Sequence, residues 1–143
     1  MKPFTFRLTR VRDLRSRQLE IEQARLEPLL AERGAIESRI RALEQERIRA
    51  AEAAAEPGVT AGDLAARAAW RSHLARKGSI LSGQMAACAK KIEAQLEMIR
   101  QAERRVHLLD RLAGRQKAAW QTAADREVEA LAAELYLARR HQR

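Results

Sequence analysis

Glu56-Pro57-Gly58-Val59-Thr60 is the stretch that decides the fold. Pro-Gly marks a tight turn, because proline presets φ and glycine accepts the positive φ that most turns need. Thr60 followed by Asp63 resembles a capping box, with a carboxylate in the first turn, where the helix dipole favours negative charge. No comparable break occurs on either side. The reading is one helix over about 5–56 and another over about 61–141, joined by a turn at 57–60, with residues 1–143 forming a single domain. At a rise of 1.5 Å per residue these helices would be roughly 75 Å and roughly 120 Å long. Helices so long and so polar need a partner along one apolar stripe.

That stripe follows spacings of three and four. In the first helix it runs Leu8, Val11, Leu19, Leu26, Leu29, Ile36, Ile40, Leu43, with Arg15, Glu22 and Arg33 interrupting it. In the second it runs Leu64, Leu74, Leu81, Met85, Cys88, Ile92, Leu96, Ile99, Val106, Leu109. Folding the chain at 57–60 brings Leu43 to Leu74, Ile36 to Leu81, Leu29 to Cys88, Leu26 to Ile92, Leu19 to Ile99, Val11 to Val106 and Leu8 to Leu109. Each pair of numbers adds to 117 or 118. A constant total is the mark of an antiparallel αα-hairpin, so the expected fold is all-α: a long antiparallel two-helix coiled coil. Pro28 should kink the first helix by removing the hydrogen bond to the Ala24 carbonyl. Gly78 should face Ile40, and Gly34 should lie near Gly83, where the helices approach closely. Residues 117–143 have no counterpart in the first helix and should project as an uncovered extension. Trp120, Ala124, Val128, Leu131 and Leu135 nonetheless keep an apolar stripe along it, which asks for a partner.

Composition agrees with this architecture. Ala, Arg, Leu, Glu and Lys make up about 62% of the 143 residues, and aromatics only 3%. Such a bias belongs to long helices and not to a sheet or a globule with a deep cleft. The formal net charge is +9, divided as +2 over residues 1–56 and +7 over residues 57–143. The basic second half would suit an anionic partner surface. Cys88 is alone, so an intrachain disulfide is impossible and a reducing compartment is natural. Residues 1–7 lack a secretory apolar core, and the uncharged stretch from Gly78 to Ala89 is too short to span a bilayer.

Catalytic chemistry has no foothold in the sequence, and the chain reads as non-enzymatic, without cofactor. No Gly-rich phosphate loop is present. His73, His107 and His141 are scattered, without metal-ligand spacing. Cys88 lies on the inward stripe and reads as a small core residue. Glu93 and Glu97, flanked by Lys90, Lys91, Arg100 and Arg104, read as surface ion-pair partners. Nucleic-acid binding is disfavoured because bases are interleaved with acids and Trp70, Trp120 and Tyr136 are too few for a stacking platform. The Ala-rich faces are too weakly apolar for a membrane-surface helix.

The two ends resemble a known family. Phe4-Thr5-Phe6-Arg7-Leu8, then Arg10-Val11-Arg12-Asp13-Leu14-Arg15, is similar to the opening of FliJ-type proteins. Leu109-Asp110-Arg111-Leu112-Ala113-Gly114-Arg115, then Trp120, Arg126 and Glu134-Leu135, is similar to the family's closing pattern, with Ala133 in place of the usual Asp. The Pro-Gly break sits where the family's hairpin turns. Pro28 and Gly114 are departures from that pattern.

The resemblance implies a cytoplasmic stalk of the flagellar type III protein export apparatus, peripheral at the inner membrane through its partners only. Such stalks enter the hexameric export ATPase (FliI-type), link it to the cytoplasmic domain of the export gate protein (FlhA-type) and handle export chaperones. Carried to this sequence, it implies ATPase contacts at Phe4, Phe6, Arg7, Val11, Leu112, Arg115, Trp120 and Arg126. It also implies gate contacts at Trp70 and Leu74, four apart on one helix face, although Leu74 is equally a hairpin-core partner of Leu43. Arg10, Arg12, Arg111 and Lys117 would add positive charge at the ATPase-facing end. The alternatives are an injectisome stalk of the YscO type and a generic structural coiled-coil adaptor.

Overall fold

The computed structural model describes residues 2–141, and these form an all-α helical hairpin with no strand among the described residues. Helix α1 spans Thr9–Ala54 and α2 spans Ala61–His141. Both helices run through two compact units, one of Glu22–Ile99 and the other of Met1–Ile21 with Arg100–Arg143.

In the Glu22–Ile99 unit the turn forms where the sequence places it. The last turn of α1 tightens as Ala55 N donates to Glu52 O at 3.1 Å and Glu56 N to Ala53 O at 3.4 Å. Gly58 then takes φ of +90°, a conformation that side-chain-bearing residues resist. Thr60 and Asp63 cap α2 reciprocally. Asp63 N donates to Thr60 Oγ1 at 3.2 Å, while Thr60 N and Oγ1 donate to Asp63 Oδ2 at 3.1 and 2.6 Å.

Beyond the turn, Ile36, Leu43, Leu74, Leu81, Cys88 and Ile92 form a buried cluster flanked by Leu26, Leu29, Ala50 and Met85. Leu74, Leu81 and Cys88 recur every seven residues, as do Leu29, Ile36, Leu43 and Ala50. Two hydrogen bonds across the helices fix their alignment. Cys88 Sγ donates to Leu29 O at 3.6 Å, and Gln95 Nε2 donates to Glu22 O at 2.8 Å. Both pairs total 117, and by heptads the same alignment sets Ile36 opposite Leu81 and Leu43 opposite Leu74. Each fully buried Leu or Ile contributes about 1.5–3 kcal/mol relative to exposure. The expected stripe is too generous at its margins, because Ile40, Leu64 and Leu96 are exposed.

The glycines also depart from expectation. A Cβ at Gly34 or Gly83 would meet nothing within 4 Å, so neither marks a close approach of helices. A Cβ at Gly78 would meet Arg47 and Leu43 first, and Ile40 lines the same surface hollow. Helix α1 continues through Pro28 without interruption. Ala24, whose carbonyl lacks its helical donor, is exposed, so water can serve it.

In the other unit α1 begins at Thr9, later than the expected start near residue 5. Residues 2–6 are non-helical. Thr9 N and Oγ1 both donate to Phe6 O, at 3.2 and 2.6 Å, which closes the entry turn. The segment before it is held by tertiary contacts. The Phe4 ring centroid lies 6.1 Å from that of Trp120, and Trp120 Nε1 donates to Lys2 O at 3.1 Å. An aromatic contact with a satisfied indole outweighs the small gain of one further helical turn through Thr5 and Phe6. Trp120 therefore has an intrachain partner, and the uncovered part of α2 begins later than residue 117. From Gln121 to His141 every residue is exposed except the half-buried Ala124.

Candidate functional site: two exposed surfaces

The first surface lies beside the turn, in the Glu22–Ile99 unit. Small residues on both helices, Ala50, Ala53, Ala54 and Ala66, leave an open groove of about 750 Å³ bounded by Leu64 and Trp70. The Trp70 ring stacks on His73, with centroids 5.3 Å apart and planes at 29°, and remains 47% exposed. Arg49, Arg67 and Arg71 line the groove against a single carboxylate, Glu46. Glu46 Oε2 lies 4.0 Å from Lys77 Nζ, so part of its charge is already engaged. The result is an apolar floor in a positive field, suited to a partner that carries an apolar anchor among acidic groups. At the start of α2, hydrogen bonds from the Thr60 hydroxyl and backbone N–H hold the Asp63 carboxyl below the usual carboxylate range, and Arg67 adds to the effect.

Leu74, expected from the resemblance to contact the export gate, does not belong to this surface. It is 2% exposed and forms part of the core layer with Leu43. Trp70 alone of the expected gate pair reaches solvent, and Leu64 takes the neighbouring apolar position. Exposure of Leu64 was hidden in the sequence because its spacing continues the stripe, while His73 carried no signal beyond lying three residues after Trp70.

The second surface is built around Trp120 in the other unit. Phe4 and Phe6 are half-buried, as are Leu112 and Trp120, whereas Val11 is 41% exposed. Phe4 and Trp120 touch, and Phe6 is engaged through its carbonyl. Arg7, Arg115 and Arg126 are exposed. Arg115 and Arg126 are eleven residues apart, about three turns, and so share one face of α2, while Trp120 falls on another. The expected set is thus divided into an aromatic face and a basic face. Arg12 lies 3.5 Å from Asp110, which removes it from the free positive charge of this end. The Lys2 carbonyl, which receives the indole hydrogen bond, could not be foreseen from residue types because any residue supplies a carbonyl.

Beyond Trp120, Val128, Leu131 and Leu135 are each more than half exposed along one stripe. Among the described residues no three His, Cys, Asp or Glu side chains are grouped to hold a metal ion, and no helix is long and apolar enough to cross a membrane. Both surfaces leave apolar side chains exposed close to arginines. No protein-family model matches the sequence, and no curated protein or solved structure matches it significantly.

Proposed function

We propose that this chain is a non-enzymatic stalk of the flagellar type III export apparatus, entering a FliI-type ATPase hexamer and reaching a FlhA-type gate. The observation that carries the reading is the contact between Phe4 and Trp120. These residues belong to the two terminal motifs that resemble the FliJ family, and they lie 116 positions apart in sequence. Their meeting supports one composite surface at that end, with Arg115 and Arg126 on the adjoining basic face. In this reading the ATPase binds there, the gate domain binds the Trp70 groove, and the exposed stripe of Val128, Leu131 and Leu135 is open to the ATPase or to an export chaperone.

Binding and turnover of a purified FliI-type ATPase test the proposal. Truncation after Gln116 should keep the Glu22–Ile99 unit folded but abolish stimulation of hexamer assembly or turnover. Charge reversal at Arg115 and Arg126 to Glu should do so more selectively, and low salt should not restore the activity because the sign of the field has changed. Separately, Trp70→Ala should weaken binding to a FlhA-type cytoplasmic domain by more than about 1 kcal/mol, as loss of an anchor does. Full stimulation by the truncated chain would move the ATPase contact elsewhere. Binding to an injectisome ATPase alone would select the YscO-type alternative, and binding to neither would leave the adaptor reading.

A further inference from the structure

We propose that Glu22 and Gln95 form a register lock that holds α1 and α2 in a single alignment. Glu22 interrupts the apolar stripe of α1, and Gln95 occupies the matching heptad position of α2, seven residues after Cys88. The pair lies inside the hairpin, with the Glu22 side chain 15% exposed. Gln95 Nε2 donates to Glu22 O at 2.8 Å and to Glu22 Oε2 at 2.7 Å. Arg25 Nη1 donates to the other carboxylate oxygen at 3.0 Å. Both carboxylate oxygens of Glu22 and the amide nitrogen of Gln95 are thereby engaged.

A lock is needed because the apolar pattern repeats every seven residues. Sliding α2 by one heptad can therefore set apolar residues against apolar residues again. One direction sets Leu43 opposite Arg67 and Cys88 opposite Glu22, bringing charged groups into the core. The core layers forbid it. The opposite slide lengthens the connection by unwinding the Ala-rich ends of both helices, and it sets Ala50 opposite Leu74, Leu43 opposite Leu81 and Ile36 opposite Cys88. Every one of those pairs is apolar. Only the next layers object: Gln95 would face Leu29, whose carbonyl could replace that of Glu22 but whose side chain offers no acceptor, and Glu22 would face Ala102 and lose its amide donor. A half-buried carboxylate deprived of its amide donor disfavours the slipped state, as a single polar core residue does in other helical assemblies.

Native Cys88 supplies the reporter. In the otherwise unaltered full chain, Leu29→Cys should oxidise with Cys88 within one molecule, whereas Ile36→Cys should not, being one heptad out of alignment. Replacing Glu22 and Gln95 together by Leu should leave helicity intact and raise intramolecular Ile36→Cys crosslinking at least tenfold. Gln95→Met, which removes the hydrogen bonds with little change in volume, should act in the same direction and serves if the double variant misfolds. Glu22→Gln, which keeps an acceptor for Gln95, should leave the crosslinking ratio unchanged. Rapid Ile36→Cys crosslinking in the unaltered chain, or none in either apolar background, would overturn the lock and assign register to the turn and the apolar layers alone.

Discussion

The two units of this hairpin are made from the same pair of helices and nearly the same residue types, yet they distribute burial very differently. In the Glu22–Ile99 unit Ile36, Leu43, Leu74, Leu81, Cys88, Ile92 and Ile99 are all buried. In the other unit Ala102 is the only buried hydrophobic residue among those described, and by heptads it falls opposite Arg15. What that unit has instead is the Phe4–Trp120 contact and a long exposed stretch of α2. Structural stability is therefore concentrated beside the turn, while the motifs that resemble a family sit where burial is thinnest. Segments that dock commonly come from the less stable part of a protein, since groups already committed to a core cannot meet a partner.

The sharpest way to break this contrast is a matched pair of truncations. Leu74→Ala should cost about 2–5 kcal/mol, because the cavity opens in a layer that cannot collapse easily. Leu131→Ala, on the exposed stretch, should stay within about 0.5 kcal/mol. Urea unfolding followed by circular dichroism reads both. Comparable losses at the two sites would mean that the stretch beyond Trp120 is covered in solution by something other than this chain's own first helix.

A smaller effect is expected at Trp120. Trp120→Ala removes an aromatic pair worth about 0.5–1.5 kcal/mol beyond its area, together with the hydrogen bond to Lys2 O. The consequence should be local. Hydrogen exchange should quicken over residues 2–8 while the amides of Leu81 and Cys88 keep their protection. Loss of protection throughout the Glu22–Ile99 unit would show that the two regions unfold together and are not energetically distinct.

The turn and the helix pairing were legible in the sequence because they rest on local chemistry and repetition. Pro57-Gly58, the Thr60–Asp63 cap and the inward position of Cys88 follow from residue type and spacing. The late start of α1 was not legible, since it depends on Trp120, more than a hundred residues away, outweighing local helix preference. Gln95 was overlooked for a different reason. Glu22 reads as an interruption until the constant total is applied to it, which points directly to Gln95. The Trp70 surface was half legible: an exposed position could be told from the stripe, but the groove exists because alanines on two helices happen to align. Leu74 carried two competing roles, and only its burial decides between them.

Glycine substitutions test the packing contrast at a finer scale. Gly34→Ala and Gly83→Ala place a methyl where nothing lies within 4 Å, so each should stabilise the helix by about 0.5–1 kcal/mol through lower backbone entropy in the unfolded chain. Gly78→Ala meets the guanidinium of Arg47, the far end of a flexible side chain, and the gain there should be smaller. Gly58→Ala should destabilise, because alanine resists a φ of +90°. Thermal unfolding of the four variants orders them directly. A loss at Gly34 or Gly83 would restore the close helix approach that their surroundings argue against.

The smallest effect expected is a pH dependence at the start of α2. Hydrogen bonds from Thr60 favour the ionised Asp63 carboxylate, with a lesser contribution from Arg67, so the folded chain releases this proton more readily than the unfolded chain does. The sign follows from linkage: the stabilising contribution is complete above the ordinary aspartate range and is lost as pH falls through that range and then through the lower folded-state value. Between about pH 6 and about pH 2 the carboxyl resonance of Asp63 should titrate below that of an unstructured aspartate, and α2 amides near the cap should exchange faster at the acid end. Thr60→Val removes the hydroxyl donor while keeping the branched shape, so the Asp63 titration should move back toward the ordinary value. The resonances of the Leu74–Cys88 core should stay where they are. An unchanged Asp63 titration in that variant would assign the shift to the backbone N–H of residue 60 and to Arg67, and would leave the cap without the hydroxyl bond that distinguishes it.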